Sequence, residues 1–221
     1  MAFITERSKK QPKGVIGYAS GSLGRYREFD ACLNMLQVPP ESPIYQAAGI
    51  NVAFNYNQIL REMLKGDYQW AWLLGDDHVF PPELLLNLLE RNVDVVTPFC
   101  LTRQEPFTPV VYEFDGKDYK NVGIDEFRGM SGLARLKSIQ VCGNAGVLIR
   151  RNVCEAIPDP WFENGMIDRE KNSSDLWFSK KVNDALFGNY VDLDNPMGHI
   201  SHFAVWPHND NGRWKTNVTS L

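Results

Sequence analysis

The stretch WLLGDDHVFPPELLLNLLERNVDVV, Trp72 to Val96, decides how the chain is read. Its apolar opening continues upstream as YQWAWLLG, a run that reads as a strand buried on both faces. The run stops at two adjacent carboxylates, Asp76 and Asp77, followed by His78. Pro81 and Pro82 suit the first turn of a helix, where a missing N–H costs nothing. Leu85, Leu88 and Leu89 then share one helical face, and VDVVTPFC, ending at Cys100, is the next buried strand. Strand, acidic turn, helix and strand are the parts of a parallel α/β sheet with right-handed crossovers.

The same grammar extends upstream. GVIGYAS (Gly14 to Ser20) reads as the first strand, and Phe29, Leu33 and Leu36 mark one face of the helix after it. SPIYQAAG is a second strand. NVAFNYNQILREMLKG places Val52, Tyr56, Ile59 and Leu60 at helical spacing, with Gly66 suited to the C-terminal cap. Strand and helix therefore alternate three times before the fourth strand. This predicts an α/β fold with a mostly parallel central sheet and helices on both faces.

Downstream the pattern changes. PVVYEF and KDYKNV flank Asp115-Gly116, a hairpin signal. ARLKSIQVCGNAGVLIRR suggests two strands broken at Gly143, and SSDLWFSKKVNDALFG a helix with Phe178, Val182, Ala185 and Leu186 on one face. NYVDLDNPMGHISHFAVW reads as a strand, a turn and a short extended tail. No linker separates the halves. Residues 1–221 are read as one domain, with a first half of about 12–100 and a smaller, more antiparallel half of about 101–221.

Composition narrows the function. The 221 residues are 43% hydrophobic and 23% charged, ordinary for a globular protein. A net charge of -4 argues against a general nucleic-acid binder. No apolar run reaches the roughly 18 residues of a membrane span, and MAFITERSKKQPKG lacks the apolar centre of a signal peptide. A cytoplasmic location is expected. Cys32, Cys100, Cys142 and Cys154 form no C-x-x-C pair and read as reduced core thiols.

Two carboxylates at a strand end are open to two readings. Asp76 or Asp77 can cap the helix that follows. Alternatively, ligands of open α/β sheets bind outside the carboxyl ends of the strands, and adjacent carboxylates repel unless a cation or donors compensate. A hard divalent ion, Mg2+ or Mn2+, takes carboxylate and phosphate oxygens together.

WLLGDDHVFPPELLLNLL resembles the acidic signature of GT-A-fold glycosyltransferases, the family-two-like, inverting group. The resemblance implies that Asp77 ligates Mn2+ or Mg2+ on the diphosphate of a nucleotide-diphosphate sugar, while Asp76 helps hold the donor. Gly75 stands where that signature carries its first acid; an alternative register reads Asp76-x-His78, with His78 as a nitrogen ligand. By position, Tyr18, Ala19 and Ser20 would approach the nucleotide. Tyr56-Asn57 stands where relatives often carry Arg-Asn, so Asn57 is carried over to the donor site. In DVVTPFCLTRQEPFTPVVY, Arg103 would meet phosphate or sugar; its bland reading is a surface cation. VCGNAGVLIRRNVCEAIPDPWFE resembles the family's Gly-rich run, in which Gly143 and Gly146 would let the donor sugar approach the backbone. Trp161 and Phe162 read as core or as the wall of an acceptor pocket.

Two further residues complete the expected site. In NSSDLWFSKKV, Asp175 matches the family's general base, with Ser174 in place of a preceding Glu. A carboxylate there would take the acceptor hydroxyl's proton, although Asp175 could equally complement a helix N-terminus. In PMGHISHF, His199 matches a late metal ligand better than His202 does, and imidazole suits Mn2+ better than Mg2+. The expected partners are thus a nucleotide-diphosphate sugar and a hydroxyl acceptor, whether glycan, protein or modified nucleobase. Two rivals stay open: a nucleotidyltransferase using Gly21, Gly24 and Arg25 as a phosphate loop, and a catalytically inactive nucleotide-sugar-binding module.

Overall fold

A computed structural model describes residues 2–20, 26–49, 51–127, 135–167, 170–201 and 203–220. The first half follows the predicted alternation: β1 (Val15–Ser20), α1 (Arg27–Met35), β2 (Ile44–Ala48), α2 (Val52–Lys65), β3 (Trp70–Gly75), the two-residue β4 (His78–Val79), α3 (Leu84–Glu90) and β5 (Val95–Phe99). The Asn51 side chain accepts the Phe54 N–H at the start of α2, and the Gly66 N–H reaches the Glu62 carbonyl at its end.

The second half contains β6 (Val111–Phe114), β7 (Tyr119–Asn121), β8 (Leu136–Ser138), β9 (Val141–Cys142), β10 (Val147–Arg150), α4 (Arg151–Ala156), β11 (Gly165–Ile167), β12 (Glu170–Asn172) and α5 (Ser174–Asp184). It closes with β13 (Asn189–Pro196), β14 (Gly198–Ile200), β15 (Phe203–Asp210) and β16 (Arg213–Ser220).

The central sheet has seven strands in the order β2-β1-β3-β10-β5-β13-β8. β1 runs parallel to β2 and β3, and β13 parallel to β5. β10 enters antiparallel between β3 and β5, and β8 lies antiparallel on the β13 edge. The pleat sorts side chains by alternation. Trp70, Trp72 and Leu74 join one apolar cluster with Phe29 and Leu33 of α1 and the leucines of α3. Ala71 and Leu73 join the other, with Ile59, Leu60 and Met63 of α2, Val153 of α4, and Phe178 and Val182 of α5. Helices therefore cover both faces of a mostly parallel, Rossmann-like sheet, and a smaller antiparallel sheet, β16-β15-β14-β4, stands beside it.

Three local expectations are corrected. The third helix begins at Leu84 because Pro81 and Pro82 are spent in a turn closed by the Leu84 N–H on the Pro81 carbonyl. The helix of α5 stops at Asp184, so Leu186 leaves the apolar face: its φ is 62° and it is 92% exposed. A Phe187 N–H to Val182 carbonyl bond of 3.1 Å closes that end. The "short tail" is a full hairpin in which β15 pairs with β16 from Phe203↔Ser220 to Asp210↔Arg213. Its turn, Asn211 (φ 52°) and Gly212 (φ 84°), takes the two left-handed conformations of a type I′ hairpin. Trp214 anchors the hairpin, its ring tilted against Phe99 at 4.8 Å and its indole N–H donated to the Phe127 carbonyl at 2.9 Å. Among the described residues no helix is long and apolar enough to cross a membrane.

Candidate active site

A cleft of about 560 Å3 opens beyond the carboxyl ends of β3 and β5, where ligands of open α/β sheets sit. Its volume lies within the roughly 300–1,000 Å3 range of small-molecule sites. Asp77, His199, Arg103, Gly143 and Asp175 line it together. Five separate segments deliver them: the β3–β4 turn, β14, the loop after β5, the β9–β10 turn and the start of α5.

Asp77 is the hub of one group. Its Oδ2 accepts from Arg103 Nη1 at 2.8 Å and lies 3.2 Å from His199 Nε2, while its Oδ1 is 3.4 Å from His78 Nδ1. Antiparallel pairing sets His199 of β14 directly opposite His78 of β4, and the two rings stack at 4.9 Å. Burial alone would raise the Asp77 carboxyl; the hydrogen bond from His199 and the charges of the two imidazoles and Arg103 outweigh it and hold Asp77 far below the usual carboxylate range. Burial pushes His78 down to about 4 against the pull of Asp77, so its ring is neutral at pH 7.

The missing first acid of the signature has a steric reason. A Cβ at Gly75 would lie 2.6 Å from Asp77 Oδ1 and 3.0 Å from His78 Cε1. Any side chain there would displace the carboxylate that the turn presents.

The donor atoms around Asp77 suit a cation. Asp77 Oδ2 and His199 Nε2 are 3.2 Å apart, near the roughly 3 Å between neighbouring ligands of a six-coordinate ion with bonds of about 2.1 Å. His199 Nδ1 meets the Leu101 carbonyl at 3.1 Å, which can hold the proton on Nδ1 and free the Nε2 lone pair for a cation in place of the hydrogen bond to Asp77. Behind this pair, His78, Cys100 and His199 form a softer donor set, with potential ligand atoms within 4.8 Å of one another. His78 Nε2 is buried there without a partner.

Asp175 heads the second group. It follows Ser173, whose hydroxyl accepts the Leu176 N–H and caps α5. Asp175 is therefore in the first turn, as the capping reading requires, and it also faces the cleft. Its Oδ1 receives a short hydrogen bond from Asn144 Nδ2 and another from the Ser174 hydroxyl at 3.2 Å. Burial pushes its carboxyl up to about 6, against hydrogen bonds from Ser174 and the backbone of Asn144 and Asp175 itself. The phenol of buried Tyr56 ties the two groups into one neighbourhood. Burial raises it well above the ordinary value, and the negative charges of Asp175, Asp77 and Asp76 add to the shift.

The other expected residues fall elsewhere. Asn57 does not line the cleft: its Nδ2 donates to the Phe162 carbonyl at 2.7 Å and its Oδ1 accepts the Phe162 N–H at 3.0 Å. A carboxamide used on both sides by buried backbone is a clamp, set apart from the cleft in which the donor is expected. Tyr18 packs edge-on against Phe29 at 5.3 Å and donates to Gln46 at 3.1 Å. Ala19 points into the opposite core, and Ser20 is buried at the end of β1. These three stand beside Gly75 in the sheet, with Ala19 paired to it, but outside the cleft lining. Asp76, half-buried in the turn, also lies outside that lining. Trp161 and Phe162 are core residues, 3% and 1% exposed. Gly21, Gly24, Arg25 and His202 lie outside the described residues. Tyr56 and Asn144 also line the cleft; the one sits on the apolar helical face and the other inside the Gly-rich run, where nothing in the sequence sets them apart as site residues.

The fold is similar to that of A197 from STIV. The two align with a TM-score of 0.59 at 16% identity, covering 95% of each chain. A looser match, TM-score 0.38 at 15% identity, is to a protein provisionally named a nucleotide-diphospho-sugar transferase from Desulfovibrio desulfuricans G20, over 81% of this chain and 58% of that one. At that score the likeness carries no weight for the site. No protein-family model matches the chain, and no curated protein does.

Proposed function

We propose that the protein transfers a sugar from a nucleotide-diphosphate donor to a hydroxyl acceptor by direct displacement with inversion. The observation that carries this reading is that one cleft joins the Asp77 carboxylate, with His199 Nε2 3.2 Å from its Oδ2, to a desolvated carboxyl, Asp175, poised at about 6. Sugar transfer needs these two functions side by side: positive charge on the departing diphosphate and a base for the attacking alcohol. A divalent ion, Mn2+ or Mg2+, held by Asp77 and His199 would neutralise the diphosphate as it leaves. Arg103, already paired with Asp77, is within reach of the same phosphates. Asp175, ionised at neutral pH, takes the proton of the acceptor hydroxyl, and Gly143 keeps the space beside it open. Tyr18, Ala19, Ser20 and Asp76 lie outside the cleft lining, at the neighbouring carboxyl ends of β1 and β3, and would meet the nucleotide only where it extends past Gly75. The acceptor is a hydroxyl on a glycan, a protein or a modified nucleobase.

The test is a panel of nucleotide sugars incubated with Mn2+ while released products are separated. Free nucleoside diphosphate, lost in Asp77→Ala and Asp175→Asn, supports sugar transfer. Release of pyrophosphate would assign the site to nucleotidyl transfer, and binding without turnover to a non-catalytic module.

A further inference from the structure

Asp175 is held by more than its own helix. One of its oxygens, Oδ1, is taken by Asn144 Nδ2 and the Ser174 hydroxyl. Asn144 is itself held, because its carbonyl accepts the Tyr56 hydroxyl at 3.3 Å. Tyr56 is 2% exposed and sits edge-on against Phe162 at 5.3 Å. Phe162 stacks on Phe178 of α5 at 4.4 Å, and Asn57 clamps its backbone from both sides. A buried chain of contacts therefore runs from α2 through Phe162 to the helix that carries Asp175. A second branch runs through Tyr56 to Asn144. The other oxygen, Oδ2, borders Gly143, where a Cβ would lie 3.6 Å from it and 3.1 Å from Val110 Cβ.

We propose that Asn144 is a positioning residue that ties Asp175 Oδ1, so that Oδ2, in the slot kept open by Gly143, is the oxygen offered to the acceptor hydroxyl. Asn144 lines the cleft, but its amide is engaged with Asp175 Oδ1 and the Ser174 hydroxyl. It acts by fixing the carboxylate's rotation, and Tyr56 fixes Asn144 in turn. A carboxylate free to rotate spends most of its time with neither oxygen aimed along the hydroxyl O–H, and alignment is a large part of what a positioned base supplies. The proposal rests on Asp175 being the base, so its test includes a measurement that needs no turnover.

Asn144→Ala is compared with the native protein for kcat, donor KM and the pH midpoint of kcat/KM. The expected result is a kcat lower by about tenfold to a hundredfold, an unchanged donor KM, and a midpoint moved upward because a donor to Oδ1 is gone. Tyr56→Phe, which deletes only the hydroxyl that holds Asn144, should shift both quantities the same way and by less. In parallel, carbon-13 NMR of the Asp175 carboxyl follows its titration in both proteins without substrate, and it should titrate higher in Asn144→Ala. A kcat loss with an unmoved carboxyl titration, or a loss confined to donor KM, would overturn the positioning role. If no sugar transfer is found at all, the NMR comparison still decides whether Asn144 controls Asp175, separately from the reaction assigned to the cleft. Should Asn144→Ala not fold, Asn144→Ser with Tyr56→Phe carries the same comparison.

Discussion

Replacing Asp175 by Asn should make the protein more stable, and only above a definite pH. Asp175 sits at about 6 in the fold, against 3.8 for an ordinary aspartate. Its carboxyl therefore binds more protons folded than unfolded between those values. The native protein holds its full stability, as far as this group is concerned, below about pH 4, and loses part of it as the pH rises through 6. A shift of about two units corresponds to about 3 kcal/mol at 1.4 kcal/mol per unit. Part of the Asp175 surface faces the water of the cleft, so about 1–3 kcal/mol is the working range. Asn keeps the acceptor oxygen for Asn144 and Ser174 and never ionises. The two proteins should thus melt together at pH 4 and separate between pH 4 and 6. Above pH 7 the variant should lead by on the order of 5 °C, at about 2–4 °C per kcal/mol for a chain of this size. Paired thermal melts at fixed pH, with urea titrations at pH 4 and 8, measure the difference while every other titrating group cancels. A variant destabilised equally at all pH values would refute the argument, because desolvation of the charged carboxyl would then not be what sets the Asp175 equilibrium. Stability gained by deleting a functional group is the expected mark of an active site.

Two other perturbations separate structure from site. Asn57→Ala leaves the buried N–H and C=O of Phe162 unpaired and should cost on the order of 2–4 kcal/mol by urea titration, with the affinity for a nucleoside diphosphate, read by calorimetry, unaltered; selective loss of that affinity would return Asn57 to the donor site. Gly75→Ala brings a methyl within the space of Asp77 Oδ1, where the unrelaxed separation is 2.6 Å; Mn2+ should then fail to raise the melting temperature of a protein that still folds, and a Mn2+ response equal to the native one would show that Asp77 is not the ligand.

The sheet was legible because its inward residues obey simple periods. Trp70, Ala71, Trp72, Leu73 and Leu74 are apolar without interruption, which only a strand covered on both faces requires. Strand direction was not legible. Val147-Leu148-Ile149 has the same apolar composition as the parallel strands, yet it enters the sheet reversed, because a buried run carries no local mark of polarity. The hairpin of β15 and β16 does carry a mark in its turn, Asn211-Gly212.

In the site, Asp77, Arg103, Gly143, Asp175 and His199 are named from the family resemblance, and the fold brings them to one cleft. Asn57 lies outside that cleft, and an amide on a helix looks the same from sequence whether it serves a ligand or clamps a backbone 105 residues away. His78 shows the opposite limit: only the β4–β14 pairing, which joins residues far apart in sequence, stacks it on His199.

The pairing of Arg103 with Asp77 bears on the order in which ligands arrive. With a guanidinium 2.8 Å from Oδ2, Asp77 does not present a bare negative charge to an incoming polyphosphate. The anion therefore need not wait for a metal to screen that carboxylate. Under the proposed reaction either ligand could enter first, and a metal taking Asp77 would leave the displaced guanidinium, still tethered, to grip the phosphates. Random rather than compulsory addition is the kinetic pattern this arrangement favours.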